Sequence, residues 1–311
     1  MADLPFNPLR PYLQKTFGRE VHRVALDAGS TCPNRDGAKG FGGCTYCDVE
    51  GSGTGELKSG TQLAQQLKDG IERVRKRDPE TGVIAYFQSY SNTYVSQARL
   101  TEVLSVLEGH LGDPVVAVSI ATRPDTLPPS ALEILARLNE RVPVWLEIGL
   151  EVADDKLLDS IQRFHTVEDF LVAVERVREV GIDVIGHAIL GIPGDGREGA
   201  RRTAECLAAS GARGVKVHNL MILKRTQLEH QWRAGQVDVL SAEHYVDWLA
   251  DFVERLHPDQ ILHRMTGDAP ETERLAPRWD VSVNGIRHRL IQELVGRGTR
   301  QGSLHSLASG S

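Results

Sequence analysis

Residues 21–47 read VHRVALDAGSTCPNRDGAKGFGGCTYC, a β-rich run that passes into a glycine-rich loop holding Cys32, Cys44 and Cys47. A short apolar segment bounded by chain breakers reads as a buried strand over 21–29. A loop dense in potential ligands at the carboxyl end of a first strand sits where parallel α/β folds collect their chemistry. Whether the fold is of that kind depends on the residues after Cys47.

Five more segments have strand character, at 82–90, 114–124, 142–151, 182–194 and 214–223, rich in Val and Ile and bounded by Gly, Pro and Asp. Between them run helical patterns at 61–77, 98–112, 130–142, 167–181 and 200–211, with apolar residues three and four apart, as in Leu100, Val103, Leu104 and Leu107. Gly112, Gly181 and Gly211 supply helix stops. Six strands each followed by a helix predict a parallel sheet with right-handed crossovers. Six units fall short of the eight in a closed barrel, so the expectation is an α/β fold, a partial (β/α)6 TIM-like barrel. An open doubly wound sheet is the other arrangement the pattern allows. A sixth helix is expected at 241–256, and 259–265 is read as a further strand or an edge extension. The organisation expected is an N-terminal extension over 1–20, a core with its C-terminal extension over 21–285, and a mostly disordered tail over 286–311. The final stretch GRGTRQGSLHSLASGS is Gly- and Ser-rich and has no periodicity.

Hydrophobic content of 41% and charged content of 25% are ordinary for a globular chain of 311 residues. The start, MADLPFNPLRPYLQKTFGRE, has no apolar core behind basic residues, and no run approaches about eighteen apolar residues, so neither a signal peptide nor a transmembrane helix is expected. Four cysteines without an export signal fit a reducing compartment. The expected location is the cytoplasm, with no membrane partner. A net charge of −6 gives no bulk signal for nucleic-acid binding, although it leaves room for local basic patches.

Three thiols in this spacing admit three readings. A disulfide would leave one thiol over, and a structural zinc normally takes four ligands. Three thiolates leave one iron of a cube-shaped 4Fe–4S cluster without a protein ligand, an open position where a small molecule can be activated. The rival readings are a zinc knuckle completed by a distant His or Asp, and a chance grouping of buried structural cysteines. Gly37, Gly40, Gly42 and Gly43 would let the loop wrap a bulky group. Cys206, in a helical run among alanines, reads as core packing.

Six motifs in order, CPNRDG…GGCTYC, AYFQSYSNTY, TRPD, WLEIGLE, GHAILGIPGDG and VKVHNLMILKRTQL, resemble those of the YhcC-type radical S-adenosylmethionine proteins, a family related to the catalytic subunit of Elongator. The resemblance covers nearly the whole chain, about 8–285, and implies a partial barrel. It also implies a 4Fe–4S cluster on Cys32, Cys44 and Cys47, with its open iron chelated by S-adenosyl-L-methionine. One electron from a donor such as a flavodoxin or ferredoxin would then release a 5′-deoxyadenosyl radical that takes hydrogen from a substrate. Cofactor contacts are implied for Tyr46, between the last two cysteines, for Gln88 and Ser89 after the second strand, and for Arg123 of TRPD. Arg163 of QRFHT matches an arginine whose fork can meet the methionine carboxylate. Glu151 stands where the family commonly carries Gln, which donates as well as accepts. Gly191 opens GIPGDG, which lacks the Lys-Ser/Thr of a phosphate loop and is implied to bring backbone close to the adenosine.

Strand periodicity supplies the remaining candidates. Lys216 and His218 lie two apart and share a face, and a lysine within a buried strand usually has a partner or a task. His187 points inward if Ile185 and Ile189 do. These three are the candidate catalytic residues. The relation to Elongator suggests a nucleic-acid substrate, the substituent at C5 of a tRNA wobble uridine. A basic groove among Arg10, Lys15, Arg19, Arg225 and Arg233 would support it, and the chain beyond residue 265 is too short for an added acetyltransferase domain. The alternatives are a radical enzyme for a small molecule and a zinc-stabilised binding module without catalysis. The oligomeric state is left open.

Overall fold

The structure, a computed structural model, describes residues 4–48, 60–267 and 269–305. Strands β1 (Val21–Leu26), β2 (Gly82–Phe87), β3 (Val115–Thr122), β4 (Val144–Glu151), β5 (Asp183–Leu190) and β6 (Gly214–Asn219) form where the sequence places them. After them come β7 (Ile222–Leu223), β8 (Ile261–Arg264) and β9 (Arg274–Ala276). β8 pairs in parallel with β6, completing a seven-stranded sheet of order β1-β2-β3-β4-β5-β6-β8, while β7 and β9 make a separate antiparallel pair. The helices are α1 (Leu9–Phe17), α2 (Leu63–Arg75), α3 (Gln97–Ser105), α4 (Pro129–Asn139), α5 (Asp155–Ser160), α6 (Val167–Glu179), α7 (Gly196–Ala209), α8 (Gln227–Arg233), α9 (Ala242–Arg255) and α10 (Val283–Arg297). Sequential parallel strands with crossover helices curl into an α/β half-barrel, the partial TIM-like barrel expected from the pattern.

The two-residue period of the strands sorts their side chains into an outer and an inner set. Val83, Ala85, Phe87, Val118, Ile120, Leu146, Ile148, Val184, Ala188, Val215 and Val217 face outward into the main core under the helices. The inner set is layered. Nearest the amino ends lie Ile84, Ala117, Trp145, Ile185 and Ile261, packed with Leu9 and Leu13 of α1. That helix touches both edge strands, β1 and β8, and its lead-in pairs with β8 through Leu262 N–H donating to Asn7 O at 2.8 Å. α1 thus plugs one end of the half-barrel with apolar side chains. Two residues further along each strand the layer turns polar, with Tyr86, Ser119, Glu147, His187 and Lys216, and the next step reaches the mouth.

The tail expected from residue 286 is not one. Ile286, Leu290 and Leu294 are buried on α10, which packs along α9. Arg297 at its end reaches Asp251 at 2.8 Å and Glu254 at 3.2 Å. Gln301 is buried and its N–H donates to Pro5 O at 2.7 Å. The Gly/Ser composition after 296 concealed an amphipathic repeat that precedes it; residues 306–311 lie outside the described residues. Among the described residues no helix is long and apolar enough to cross a membrane.

Candidate active site

At the carboxyl ends of the strands lies a cavity of about 230 Å³, walled on one side by Cys32, Cys44 and Cys47. The cysteine loop is held there by polar clamps. Asn34, fully buried, donates through Nδ2 to Gln162 O at 2.5 Å and Arg163 O at 3.3 Å. Thr45 N–H donates to Ile161 O at 3.1 Å, and Leu228 N–H of α8 donates to Thr45 O at 3.0 Å. Lys39 bonds Asp125 at 2.5 Å and Phe164 O at 3.0 Å. The loop therefore rests on the turn after α5 and on the start of α8.

All four cysteines are free thiols. Nitrogen donors approach two of the three in the loop: Arg35 Nη2 lies 3.1 Å from Cys47 Sγ, and Asn34 Nδ2 lies 3.5 Å from Cys44 Sγ. Burial and the neighbouring Cys44 push the Cys47 thiol up to about 12, against the pull of Arg35. Gly43 has φ +89°, and a Cβ there would fall 2.9 Å from the Arg35 side chain. This glycine is what lets Arg35 reach past the loop to Cys47.

Beside Cys44, Arg163 forms the next part of the wall. It donates to Gly149 O at 3.0 Å, lies 3.4 Å from Glu151 and reaches Cys44 Sγ at 3.8 Å. A Cβ on Gly149 would sit 2.3 Å from Glu151 Oε1 and 2.6 Å from Arg163 Nη2, so only glycine admits this pair above the strand. His165 Nε2 accepts from Arg163 Nε at 3.1 Å, while Nδ1 lies 3.1 Å from Thr166 O. Burial and the Arg163 charge push His165 down to about 3, so the ring is neutral with its proton on Nδ1. Tyr90, Glu151, Gln162 and Phe164 all hold positive φ, between 52° and 71°. Non-glycine residues there cost about 1–3 kcal/mol each and persist where the surroundings over-determine them. Tyr90 and Glu151 line the cavity, and Gln162 and Phe164 carry the carbonyls that clamp the cysteine loop.

Tyr46, Gln88, Arg123, Glu151, Arg163, His187, Lys216 and His218 join the three cysteines in the cavity wall. Ser89 and Gly191 do not. Ser89 is buried, and Gly191, at φ +94°, packs against Leu240. Arg123 contributes wall, but Nε and Nη2 hold Asp125 at 2.8 Å each, and Nη2 also donates to Arg163 O at 2.6 Å. In the GIPGDG turn, Asp195 buries both carboxylate oxygens without a hydrogen-bond partner among the described residues.

The floor of the cavity is the polar layer. Glu147 accepts from Ser119 Oγ at 2.8 Å and from Lys216, and its Oε2 lies 3.0 Å from His187 Nε2. Lys216 also donates to the Tyr86 hydroxyl at 2.9 Å. Burial alone would raise the Glu147 carboxyl; Lys216, His187 and Arg23 outweigh it and hold it well below its usual range. Burial lowers Lys216 to about 8 in spite of Glu147, and pushes His187 down as well. At neutral pH the layer is an ionised Glu–Lys pair beside a neutral histidine. Glu147 and Tyr86 were not among the site residues expected from sequence, although the period of two sets Glu147 on the same face of WLEIGLE as Gly149; Tyr86, inside an apolar run, gave no comparable signal.

The basic groove does not form. Arg10 pairs with Glu20 at 2.6 Å, Arg19 with Asp113 at 2.9 Å, Arg225 with Glu273 at 2.7 Å and Arg233 with Glu229 at 2.8 Å. Arg10 and Lys15 lie on α1, at the plugged end.

Residues 31–207 match the radical SAM superfamily and residues 212–295 match the radical SAM C-terminal domain. YtqA of Bacillus subtilis (strain 168) is 36% identical over 301 residues, spanning 96% of this chain and 92% of that protein. YhcC of Escherichia coli (strain K12) is 32% identical over 268 residues, 86% and 85% of the two chains. The tRNA uridine(34) acetyltransferase of Methanocaldococcus jannaschii is 23% identical over 58% of this chain and 32% of its own length. Among solved structures, the Elp3 of Methanocaldococcus infernus superposes with a TM-score of 0.71 at 17% identity, over 91% of this chain and 64% of that one, a likeness of fold. The chain belongs to the radical SAM superfamily and is an enzyme of that class.

Proposed function

We propose that Cys32, Cys44 and Cys47 hold a 4Fe–4S cluster, that S-adenosyl-L-methionine occupies the cavity beside it, and that the substrate is the C5 substituent of a tRNA wobble uridine. The observation that carries the cofactor reading is the placement of three free thiols on one clamped loop in the wall of a single cavity, with Arg35 and Asn34 beside two of the sulfurs. Three thiolates leave one iron of a four-iron cluster open to a small molecule, whereas a structural zinc takes four protein ligands. Held by these three cysteines, the cluster would supply the electron, drawn from a flavodoxin- or ferredoxin-like donor, for reductive cleavage of S-adenosyl-L-methionine and hydrogen abstraction from substrate.

The chain's own residues do the rest. Arg163 and Glu151 present a cation and an acceptor side by side, a fit for the carboxylate and amino or hydroxyl groups of the cosubstrate. Gln88 and Tyr46 line the same space. Lys216, kept ionised by Glu147, offers a proton or a charge to substrate from the floor, and His187, neutral, can accept one.

The substrate part rests on the matched relatives that act on tRNA uridine 34, since the basic groove is missing. The test is incubation of cluster-loaded protein with S-adenosyl-L-methionine, dithionite and bulk tRNA, followed by nucleoside mass spectrometry. A mass change confined to a wobble uridine derivative is expected. Release of 5′-deoxyadenosine with no nucleoside altered would move the substrate to the small-molecule class.

A further inference from the structure

On β8 the pairing with β6 runs Gly214 with Ile261 and Val215 with Leu262, then skips His263, so that Lys216 pairs with Arg264. A bulge of this kind re-aims one side chain. Here it takes Arg264 off the outward register and sets it beside Lys216 in the cavity wall. The Arg264 side chain makes no hydrogen bond and no ion pair among the described residues. His218, two residues above Lys216, buries its Nε2 without a partner, with its ring tilted 31° to that of His187 at 5.8 Å. Arg23, on the opposite edge of the half-barrel, donates to His263 O at 3.3 Å.

The charges of this wall do not balance. Arg23, Arg264 and Lys216 gather about one carboxylate, Glu147, whose oxygens are already taken by Ser119, His187 and Lys216. Placing cations in a partly desolvated cavity without counter-charge is costly, and the cationic crowding adds to burial in lowering Lys216 and His218. A guanidinium with both fork nitrogens free is built for two parallel bonds to an oxyanion. We infer that Arg264, with His218 and Lys216, binds an oxyanion carried by the substrate, a carboxylate or a phosphate, at the polar floor of the cavity. This rests on the reading that the cavity receives substrate, and it concerns residues other than Arg163 and Glu151, which were assigned above to the cosubstrate.

The test uses anaerobically prepared, cluster-loaded protein saturated with S-adenosyl-L-methionine, so that the Arg163 wall is filled. The thermal midpoint is titrated with malonate and, separately, with inorganic phosphate, at ionic strength held constant with chloride. One or both should raise the midpoint in wild type, the stronger identifying the class. In Arg264→Gln the apparent affinity should fall about tenfold or more, as for loss of a charge-assisted contact. If the glutamine variant does not fold, Arg264→Lys, which keeps the charge and loses the fork, should weaken binding by a smaller factor. No response to either anion, or equal affinity in the variants, overturns the inference. Iron content and 5′-deoxyadenosine release measured on the same samples report separately on the enzyme reading.

Discussion

His187 Nε2 and Glu147 Oε2 lie 3.0 Å apart, and Lys216 donates to that same oxygen, so one carboxylate joins β4, β5 and β6 across the interior of the half-barrel. With Tyr86 and Ser119 the contact ties five consecutive strands into a polar layer between an apolar plug and the cysteine loop.

Breaking this pair from one side should cost more than removing it. Glu147→Gln leaves a buried ammonium facing no counter-charge, at about 3–5 kcal/mol. The double variant Glu147→Gln/Lys216→Met should lose less than the sum of the single changes, read by urea unfolding as a double-mutant cycle. The pH dependence has two flanks. Glu147's depressed carboxyl gives stability that is present above its ordinary 4.5 and lost as pH falls through the folded value. Lys216, lowered from 10.5 to about 8, carries a burial penalty that is full below 8 and relieved as pH rises toward 10.5. Strictly additive costs would contradict the pairing.

Asp195 should act in the opposite sense to a paired carboxylate. Burial raises it from 3.8 to about 7, with Arg202 opposing. The folded state holds a proton that the unfolded chain has lost, so stability declines as pH rises from about 4 to 7. Asp195→Asn should flatten that decline in chemical unfolding curves. An unchanged slope would show that the carboxylate has a partner in solution.

Asn34 holds the cysteine loop to the 162–163 backbone. Asn34→Ala removes both clamping bonds and leaves the Gln162 carbonyl without its partner, while Arg163 O keeps its bond from Arg123, at about 1–3 kcal/mol. The expected result is a folded protein with less iron per chain after reconstitution. Full iron with an unchanged midpoint would mean that the backbone clamps suffice.

The C-terminal helix is structural. Leu290 and Leu294 are fully buried, and each truncation to alanine should cost about 2–5 kcal/mol. A midpoint unmoved by Leu290→Ala would contradict the packing of α10 on α9.

The strands and the three cysteines were legible because each has a local signature, apolar β-rich runs and ligand spacing. Lys216 could be found since a lysine in a buried strand is itself conspicuous, and the period of two then brought in His218. From the sequence, LHRM already puts Arg264 and His263 near the barrel mouth; the bulge that sets Arg264 beside Lys216 is a register event between two strands, and no single strand's pattern encodes it. Tyr86 was hidden because a tyrosine within GVIAYF reads as core until its hydroxyl is seen to meet Lys216. The plug role of α1 escaped for a related reason. Leu9 and Leu13 show only that a short helix has an apolar side, not that the side closes a barrel. In α10 the glycines and serines after Arg297 drew attention away from a three- and four-residue apolar spacing that was present all along.

The central claim is that three cysteines at the cavity wall carry a cluster that opens S-adenosyl-L-methionine. Its most direct test is anaerobic purification and reconstitution, followed by iron and sulfide assay and by 5′-deoxyadenosine measurement after adding dithionite and S-adenosyl-L-methionine. The account predicts about four irons and four sulfides per chain, with release of 5′-deoxyadenosine, both lost in Cys44→Ala. A colourless protein holding one zinc and leaving S-adenosyl-L-methionine intact would contradict it.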